Sequence, residues 1–327
     1  MSGSSGSAFP FPLKNTVSDI DRAVIGQLLL DGRVTVSHLA ERIGTTPTTA
    51  KLHLETLLEG GGVTVVGLVD PSLLNRPMLA YLTVHTLAAA DVVASRLADT
   101  DDTEWIATTT DLNTVICQMS CRDSAALVSF VDDKVRPLDG VRSVTIHSIL
   151  RWFPTPYSSL GTPPEGRSAV TWTSNSAPDR LPRIDATDRL ILDSLQDNGR
   201  ASLTSLAAAC GLSVPATRQR FLHLQDRSIV QIHCCISPEL FGFEVGATLR
   251  VVCLSNSTDT ARSLARLPEV TWVTQLSGEY DLAVEVRCRD TAHLSDVYRQ
   301  VATMPEVGET ELHQYDSVGK SLFRWSH

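Results

Sequence analysis

Two long stretches of this 327-residue chain repeat one another at a fixed spacing, which limits the folds open to it. Asp21–Arg33 aligns with Asp188–Arg200 at an offset of 167 residues. Later pairs keep this offset: Trp105 with Trp272, and Cys121 with Cys288. The offset falls to 166 only near Val141 and Val307. Because a register kept this long indicates internal duplication, we predict two homologous halves, 19–151 and 184–324.

Both halves share one order of predicted elements, which gives an α+β fold. Each half is predicted to be a winged-type helix-turn-helix followed by a ferredoxin-like βαββαβ domain. The predicted domains, in chain order, are a flexible tail (1–18), a first helix-turn-helix (19–63), a first α/β domain (64–151), a linker (152–183), a second helix-turn-helix (184–230) and a second α/β domain (231–324). The linker is assigned from its Pro, Ser, Thr and Gly content.

The helix-turn-helix pattern is clearest in the second half. Leu203–Cys210 is predicted as a short helix, and Ala216–Asp226 as the helix that follows the turn at Gly211. Ser213 suits the N-cap of that third helix, and Pro215 falls in its first turn. The first half repeats this layout, which by itself is also compatible with a plain three-helix core.

Polar side chains on and near the third helices are predicted to contact DNA, because an arginine fork can grip phosphate or the edge of guanine. In the second half they are Ser213, Thr217, Arg218, Gln219, Arg220, Arg227 and Arg200. In the first half they are Thr46, Thr48, Thr49, Lys51, His53 and Arg33. Residues 185–230 balance five arginines against five aspartates, whereas 19–63 carry four basic and six acidic residues. We therefore predict that the second half binds DNA more strongly.

This order of elements resembles the Lrp/AsnC (feast/famine) family of regulators. The resemblance rests on residues 184–200, the Gly211-Leu212-Ser213 turn and the 277–281 segment, and covers the chain apart from its tail and linker. It implies sequence-specific DNA binding, α/β sensor domains that take amino acids or related metabolites, and self-association through the sensor sheets. It also implies an effector site at Gln275, Leu276, Ser277, Gly278, Glu279, Tyr280 and Asp281.

The first half departs from this pattern at the corresponding loop. Asp111 stands in place of Gly278, and Asn113 in place of Tyr280. A side chain and a charge therefore occupy a position where a ligand could approach the backbone closely. We predict that effector binding is lost or altered in this half, and that the two halves form an intramolecular pseudo-dimer.

The composition argues against several other classes of protein. The net charge of −9 argues against nonspecific coating of nucleic acid but allows local basic patches. No apolar run reaches the roughly 20 residues of a membrane span, and no signal peptide is recognised at the start. The seven cysteines, without a C-x-x-C pair, suggest buried thiols in a reducing cytosol, although a redox or metal role stays open.

We therefore expect a cytoplasmic, nucleoid-associated bacterial protein whose partners are double-stranded DNA, a small effector and further copies of itself. It is expected to be no enzyme and to need no cofactor or metal, since no phosphate-binding loop, zinc spacing or nucleophile motif is found. Two alternatives remain. One is an enzyme of the same fold that resembles sirohaem decarboxylases, and the other is a helix-turn-helix protein used only for assembly.

Overall fold

The computed structural model describes residues 13–14, 16–87, 90–153, 155 and 182–320. Each half supplies three helices, a joining strand and a βαββαβ unit. The first half contains α1 (Asp19–Leu30), α2 (Val36–Ile43), α3 (Pro47–Glu59), β1 (Val63–Val69), β2 (Met78–Thr86), α4 (Ala90–Ala98), β3 (Thr103–Thr109), β4 (Thr114–Cys121), α5 (Ser124–Phe130) and β5 (Val141–Phe153). The second half contains α6 (Ala186–Asp197), α7 (Leu203–Cys210), α8 (Val214–Asp226), β6 (Val230–Ile236), β7 (Val245–Cys253), α9 (Ser257–Leu264), β8 (Val270–Leu276), β9 (Leu282–Cys288), α10 (Thr291–Ala302) and β10 (Val307–Lys320).

The two sensor sheets close on each other as one eight-stranded barrel. Strand order is β3-β4-β2-β5 in the first half and β8-β9-β7-β10 in the second, the ferredoxin-like order. Strand β5 pairs with β8, and β10 pairs with β3, both antiparallel. The predicted intramolecular pseudo-dimer is thus joined by backbone hydrogen bonds along two seams.

Strand β5 extends beyond the predicted end of the first α/β domain at residue 151, and β10 is similarly long. β5 continues to Phe153, so Trp152 and Phe153 belong to the sheet and not to the predicted linker. β10 continues past Tyr315 to Lys320. These extensions pair with the opposite half, which is why the pattern of one repeat did not reveal them. Apart from Thr155 and residues 182–183, the rest of the predicted linker lies outside the described residues.

The predicted flexible tail needs a correction at its end. Leu13 and Val17 are buried in the core of the first helix-turn-helix, with 3% and 9% of their surface exposed. Arg22 holds this segment, because its guanidinium donates hydrogen bonds to the carbonyls of Leu13, Lys14 and Val17. Residues 1–12 lie outside the described part of the chain.

The one-residue slip in the repeat has a structural cause. Helix α5 ends at Phe130 and continues as a π-helical turn, Val131–Val135, whereas α10 runs as one α-helix. A π turn closes i→i+5 hydrogen bonds and is typically a single-turn bulge within an α-helix. It therefore accommodates the extra residue that the first half has between Cys121 and Val141.

The two helix-turn-helix domains are also joined to each other. Strand β1 pairs antiparallel with β6 along its whole length, from Val63 opposite Ile236 to Val69 opposite Val230. Each joining strand thus pairs across the halves. Residues of the second half enter the core of the first helix-turn-helix, and residues of the first half enter the core of the second.

Candidate DNA-reading helices and effector site

Residues 19–63 and 184–230 are termed reader 1 and reader 2. In each, the third helix begins at a capped end: Thr46 accepts a hydrogen bond from the Thr49 amide, and Ser213 accepts one from the Ala216 amide. A proline lies in the first turn of both helices, where its missing N–H costs nothing. Thr46 and Ser213 therefore act as caps, and Pro47 is the first residue of α3.

The outer face of α8 presents Arg218 and Gln219, both exposed. The prediction that Thr217 shares this face is wrong, because Thr217 is fully buried and its hydroxyl donates to the Ser213 carbonyl. Its burial matches the spacing of Phe221 and Leu224, which lie on the same inward face. Arg227 is exposed at the end of the helix.

Arg220 and its equivalent in reader 1, His53, are tied to the first helix of their own reader. Arg220 Nη1 lies 2.7 Å from both Asp185 Oδ2 and Asp188 Oδ1, and His53 Nδ1 lies 2.7 Å from Asp21 Oδ1. The two contacts brace α8 on α6 and α3 on α1. These side chains are therefore less available to DNA than predicted, although Arg220 keeps an exposed fraction of 37%.

The outer face of α3 in reader 1 offers fewer groups for DNA contacts than that of α8. Lys51 is exposed but lies 3.6 Å from Glu55, one helical turn away. Leu52, the equivalent of Gln219, is 63% exposed. Thr48 is exposed and Thr49 is half-buried, its hydroxyl bonded to that of Thr46.

Arg33 and Arg200 occupy equivalent positions and join the two readers. The prediction that they contact DNA is therefore corrected. Arg33 donates to the carbonyls of Gly199 and Ala201, and Arg200 donates to those of Gly32 and Val34. The Arg33 guanidinium also lies 4.9 Å from the Phe221 ring centroid. Burial lowers the pKa of both arginines from the usual value. We name this reciprocal arrangement the arginine clasp.

The predicted effector loop, residues 275–281, contacts the opposite half at the β5–β8 seam. Ser277 donates its amide to the Ser148 carbonyl and accepts the Ser148 amide on Oγ. Gly278 has a φ of +110°, and a Cβ there would lie 3.0 Å from His147 Nδ1. Only glycine fits this conformation comfortably. The loop is thus shaped against β5.

Some of the remaining loop residues hold the loop in place by hydrogen bonds, and others are exposed or face neighbouring side chains. Asp281 Oδ2 accepts the Cys253 amide, and Gln275 Nε2 donates to Ser257 Oγ, so both brace the loop. Leu276 is buried, whereas Glu279 is exposed. The Tyr280 ring faces the Arg250 guanidinium at 5.6 Å from its centroid. Burial and the Glu311 carboxylate raise the pKa of Tyr280 to about 12.

Three side chains that sequence reasoning missed group beside this loop: Tyr81, His147 and Arg250. The His147 ring lies 6.4 Å from that of Tyr81 and 6.3 Å from that of Tyr280. Each is at least 95% buried, and among the described residues the Tyr81 hydroxyl, His147 Nε2 and Arg250 Nε lack hydrogen-bond partners. The one available signal was Arg250, a charge within an apolar strand.

In the corresponding loop of the first half, Asp111 forms hydrogen bonds within its own turn. Asp111 Oδ1 accepts the Asn113 amide and the Thr109 hydroxyl, and Oδ2 accepts the Thr114 hydroxyl. Thr83 stands where the second half has Arg250. These contacts occupy the Asp111 carboxylate within its own turn.

All seven cysteines are unpaired, five of them buried, and burial raises the pKa of Cys234 to about 12. Among the described residues no group of three or more His, Cys, Asp or Glu side chains is placed to hold a metal. No helix in the described ranges is long and apolar enough to cross a bilayer.

Comparison with known proteins identifies the family. Residues 184–225 match the AsnC-type helix-turn-helix domain and 250–315 the Lrp/AsnC ligand binding domain. The transcriptional regulator LrpA of Mycobacterium tuberculosis is 31% identical over 127 residues, which cover 38% of this chain and 85% of LrpA. The chain belongs to the Lrp/AsnC family. Its first half matches a winged helix-turn-helix at 17–63 and a dimeric alpha+beta barrel domain at 75–153.

Other relatives give a similar picture. The regulator FL11 of Pyrococcus horikoshii is 27% identical over 40% of this chain and 87% of its own length. The regulatory protein AsnC of Escherichia coli K12 is 29% identical over 39% and 87%. The crystal structure of the sirohaem decarboxylase NirDL superimposes with a TM-score of 0.62 over 94% of this chain and 95% of NirDL. At 13% identity, that likeness shows a shared two-half fold.

Proposed function

We propose that this Lrp/AsnC protein is a sequence-specific DNA-binding transcriptional regulator. The observation that carries the proposal is the exposed pair Arg218 and Gln219 on the outer face of α8, in a helix-turn-helix of the family's own type. Both side chains can read base edges in a major groove. Because the halves differ in sequence and are held together, the preferred operator is asymmetric and bound mainly by reader 2.

Selection of genomic fragments tests this proposal. The full chain is incubated with sheared genomic DNA of its source, and bound fragments are sequenced and footprinted. We expect a recurring site with two unlike half-sites. Self-association without any enriched sequence would instead favour a protein used for assembly. Nucleoid association is the corresponding expectation in the cell.

The effector site supports an amino acid as the ligand class. Arg250 Nε–H is a donor suited to a carboxylate. His147 Nδ1 lies 2.9 Å from the Ser277 carbonyl, which can only accept, so a neutral ring presents Nε2 as an acceptor suited to an ammonium group. Calorimetry with a panel of amino acids tests this, and one site per chain is expected because Thr83 and Asn113 replace Arg250 and Tyr280 in the first half.

The second candidate is an enzyme that acts on a tetrapyrrole. Its support is the grouping of His147, Tyr280 and Arg250, in a fold shared with NirDL. Titration with iron uroporphyrin III, followed by its absorption spectrum, distinguishes the two. A saturable spectral shift that His147→Ala removes would favour the enzyme, whereas an unchanged spectrum favours the regulator.

A further inference from the structure

A cavity of about 650 Å³ opens on the first sensor domain, between α5 and the ends of β3 and β4. It is remote in sequence from the effector loop and is termed the α5 cavity. Its lining combines apolar side chains, Met119 and Phe130, with charged ones, Arg76, Asp102, Arg122 and Lys134. Its volume lies within the range of small-molecule sites, roughly 300–1,000 Å³.

One substitution between the halves explains why there is room here. Ala126 occupies the position of His293, as the equivalent caps confirm: Asp123 accepts the Ala126 amide and Asp290 accepts the His293 amide. In the second half His293 Nε2 reaches Glu269 Oε1 at 3.1 Å. Ala126 cannot make that bridge, so the corresponding space stays open in the first half.

In the first half, the carboxylate equivalent to that of Glu269 forms ion pairs with other side chains. Asp102, the equivalent of Glu269, lies 2.6 Å from Arg76 Nη2 and 2.8 Å from Lys134 Nζ. Lys134 lies on the π-helical turn that follows α5 and also faces the Phe130 ring. The inserted residue of the first half is thus part of the turn that brings a second cation to the rim.

One rim cation keeps donors for an anion. Arg76, Arg122 and Lys134 face three acids: Asp102 pairs with Arg76 and Lys134, Asp123 pairs with Arg122, and Asp133 accepts the Ser129 hydroxyl. Arg122 uses Nε on Asp123, and within the described part of the chain its terminal nitrogens have no partner. Buried Met119 and Phe130 supply an apolar floor. The terminal guanidinium donors of Arg122 therefore lie beside an apolar base, where they can bind an anion.

We propose that the α5 cavity binds a small organic monocarboxylate with an apolar body, as a second ligand site independent of the effector loop. The carboxylate pairs with Arg122 and Lys134 at the rim, and the apolar body rests on Met119 and Phe130. The site belongs to the first half alone, because the His293–Glu269 bridge crosses its counterpart. The first half therefore contributes its own chemical input to the molecule.

The test uses 4-fluorophenylacetate as probe and 2-(4-fluorophenyl)ethanol as its neutral match, titrated into the full chain and followed by fluorine NMR. The carboxylate should bind at least about tenfold more tightly than the alcohol. Ala126→His should weaken carboxylate binding about tenfold or more by restoring the bridge to Asp102. Val128→His, on the exposed side of the same helix, is the matched control and should bind as the unaltered chain does.

Two further variants keep the proposal falsifiable if Ala126→His misfolds. Lys134→Gln should weaken the carboxylate and leave the alcohol unchanged, while Tyr280→Phe, in the effector loop, should change neither. Equal binding of the two probes, or binding that survives both Ala126→His and Lys134→Gln, would overturn the proposal. Loss of DNA binding in a separate assay would leave it intact, since the readers take no part.

Discussion

Arg250 donates a 2.8 Å hydrogen bond from Nη2 to the hydroxyl of Thr83, its own equivalent in the other half. Two equivalent side chains can meet only where the pseudo-two-fold axis passes between them. In a symmetric homodimer this contact would join two identical residues. Fusion of the halves into one chain permits a buried arginine to face a threonine at this position.

Replacing Arg250 by threonine would make the axis symmetric again. The variant loses the hydrogen bond to Thr83, the ion pair with Glu311 and the contact with the Tyr280 ring. We expect the free energy of unfolding to fall by about 2–4 kcal/mol, measured by urea denaturation. Thr83→Arg should be at least as harmful, because two guanidinium groups would then share a buried position. Unchanged stability in both variants would contradict this account of the axis.

Loss of the arginine clasp should weaken DNA binding without changing how that binding depends on salt. Arg33→Ala removes hydrogen bonds to the carbonyls of Gly199 and Ala201, and should lower the free energy of unfolding by about 2 kcal/mol. DNA affinity should fall because the readers lose their fixed arrangement. The slope of affinity against salt should stay the same, since no phosphate contact is lost.

Arg42→Ala is the matched control for the clasp. It removes the same charge from an exposed site on the same reader and should change stability by less than about 0.5 kcal/mol. Hydrogen exchange of the β1 and β6 amides should quicken in Arg33→Ala and in Arg200→Ala, but not in Arg42→Ala. A reduced salt slope in Arg33→Ala would show instead that this residue contacts DNA.

Direct reading of DNA is tested by comparing Arg218→Gln with Lys51→Gln. Arg218 is exposed, whereas Lys51 lies beside Glu55, so the first variant should lose more affinity, about 1–3 kcal/mol if Arg218 grips a base. Fluorescence anisotropy over a salt series measures both. The pair Arg220→Ala and His53→Ala is less informative, because each also releases a brace to the first helix. Equal losses in the two glutamine variants would contradict a dominant reader 2.

Much of the fold follows from the duplication and from local patterns. Helix α7 begins and ends where its sequence pattern predicts, and the strand order follows from the βαββαβ alternation. The seams between the halves did not follow, because pairing of β5 with β8 depends on a partner more than a hundred residues away.

The sites were less predictable for the same reason. Thr217 could have been placed inside from its spacing to Phe221 and Leu224. Arg33 and Arg200, in contrast, look like ordinary basic residues beside a reader, and only the pairing of the readers reveals their carbonyl partners. His147 and Tyr81 belong to the other half from the effector loop, so no motif links them to it.

Burial of His233 predicts that the protein loses stability in mild acid. Burial lowers the pKa of His233 to about 4, below the ordinary histidine value. Between these two values the histidine is protonated in the unfolded chain and neutral in the folded chain. Stability should therefore be fully present above about pH 6.5 and decline as the pH falls toward 4, by up to about 3 kcal/mol. Urea denaturation at pH 7 and at pH 5 measures the decline. His233→Gln should flatten it, and an equally steep decline in that variant would assign the effect elsewhere.

Gly278→Ala separates effector sensing from DNA binding. A φ of +110° is strained for alanine by roughly 1–3 kcal/mol, and the added Cβ would lie 3.0 Å from His147 Nδ1, disturbing its bond to the Ser277 carbonyl. We expect the response of DNA affinity to an amino acid to disappear, while affinity without the amino acid stays within about twofold. Asp111→Gly is the control, because Thr83 and Asn113 still stand where the second half has Arg250 and Tyr280. If Asp111→Gly created a second binding site in calorimetry, the buried arginine and the tyrosine would not be what defines the first.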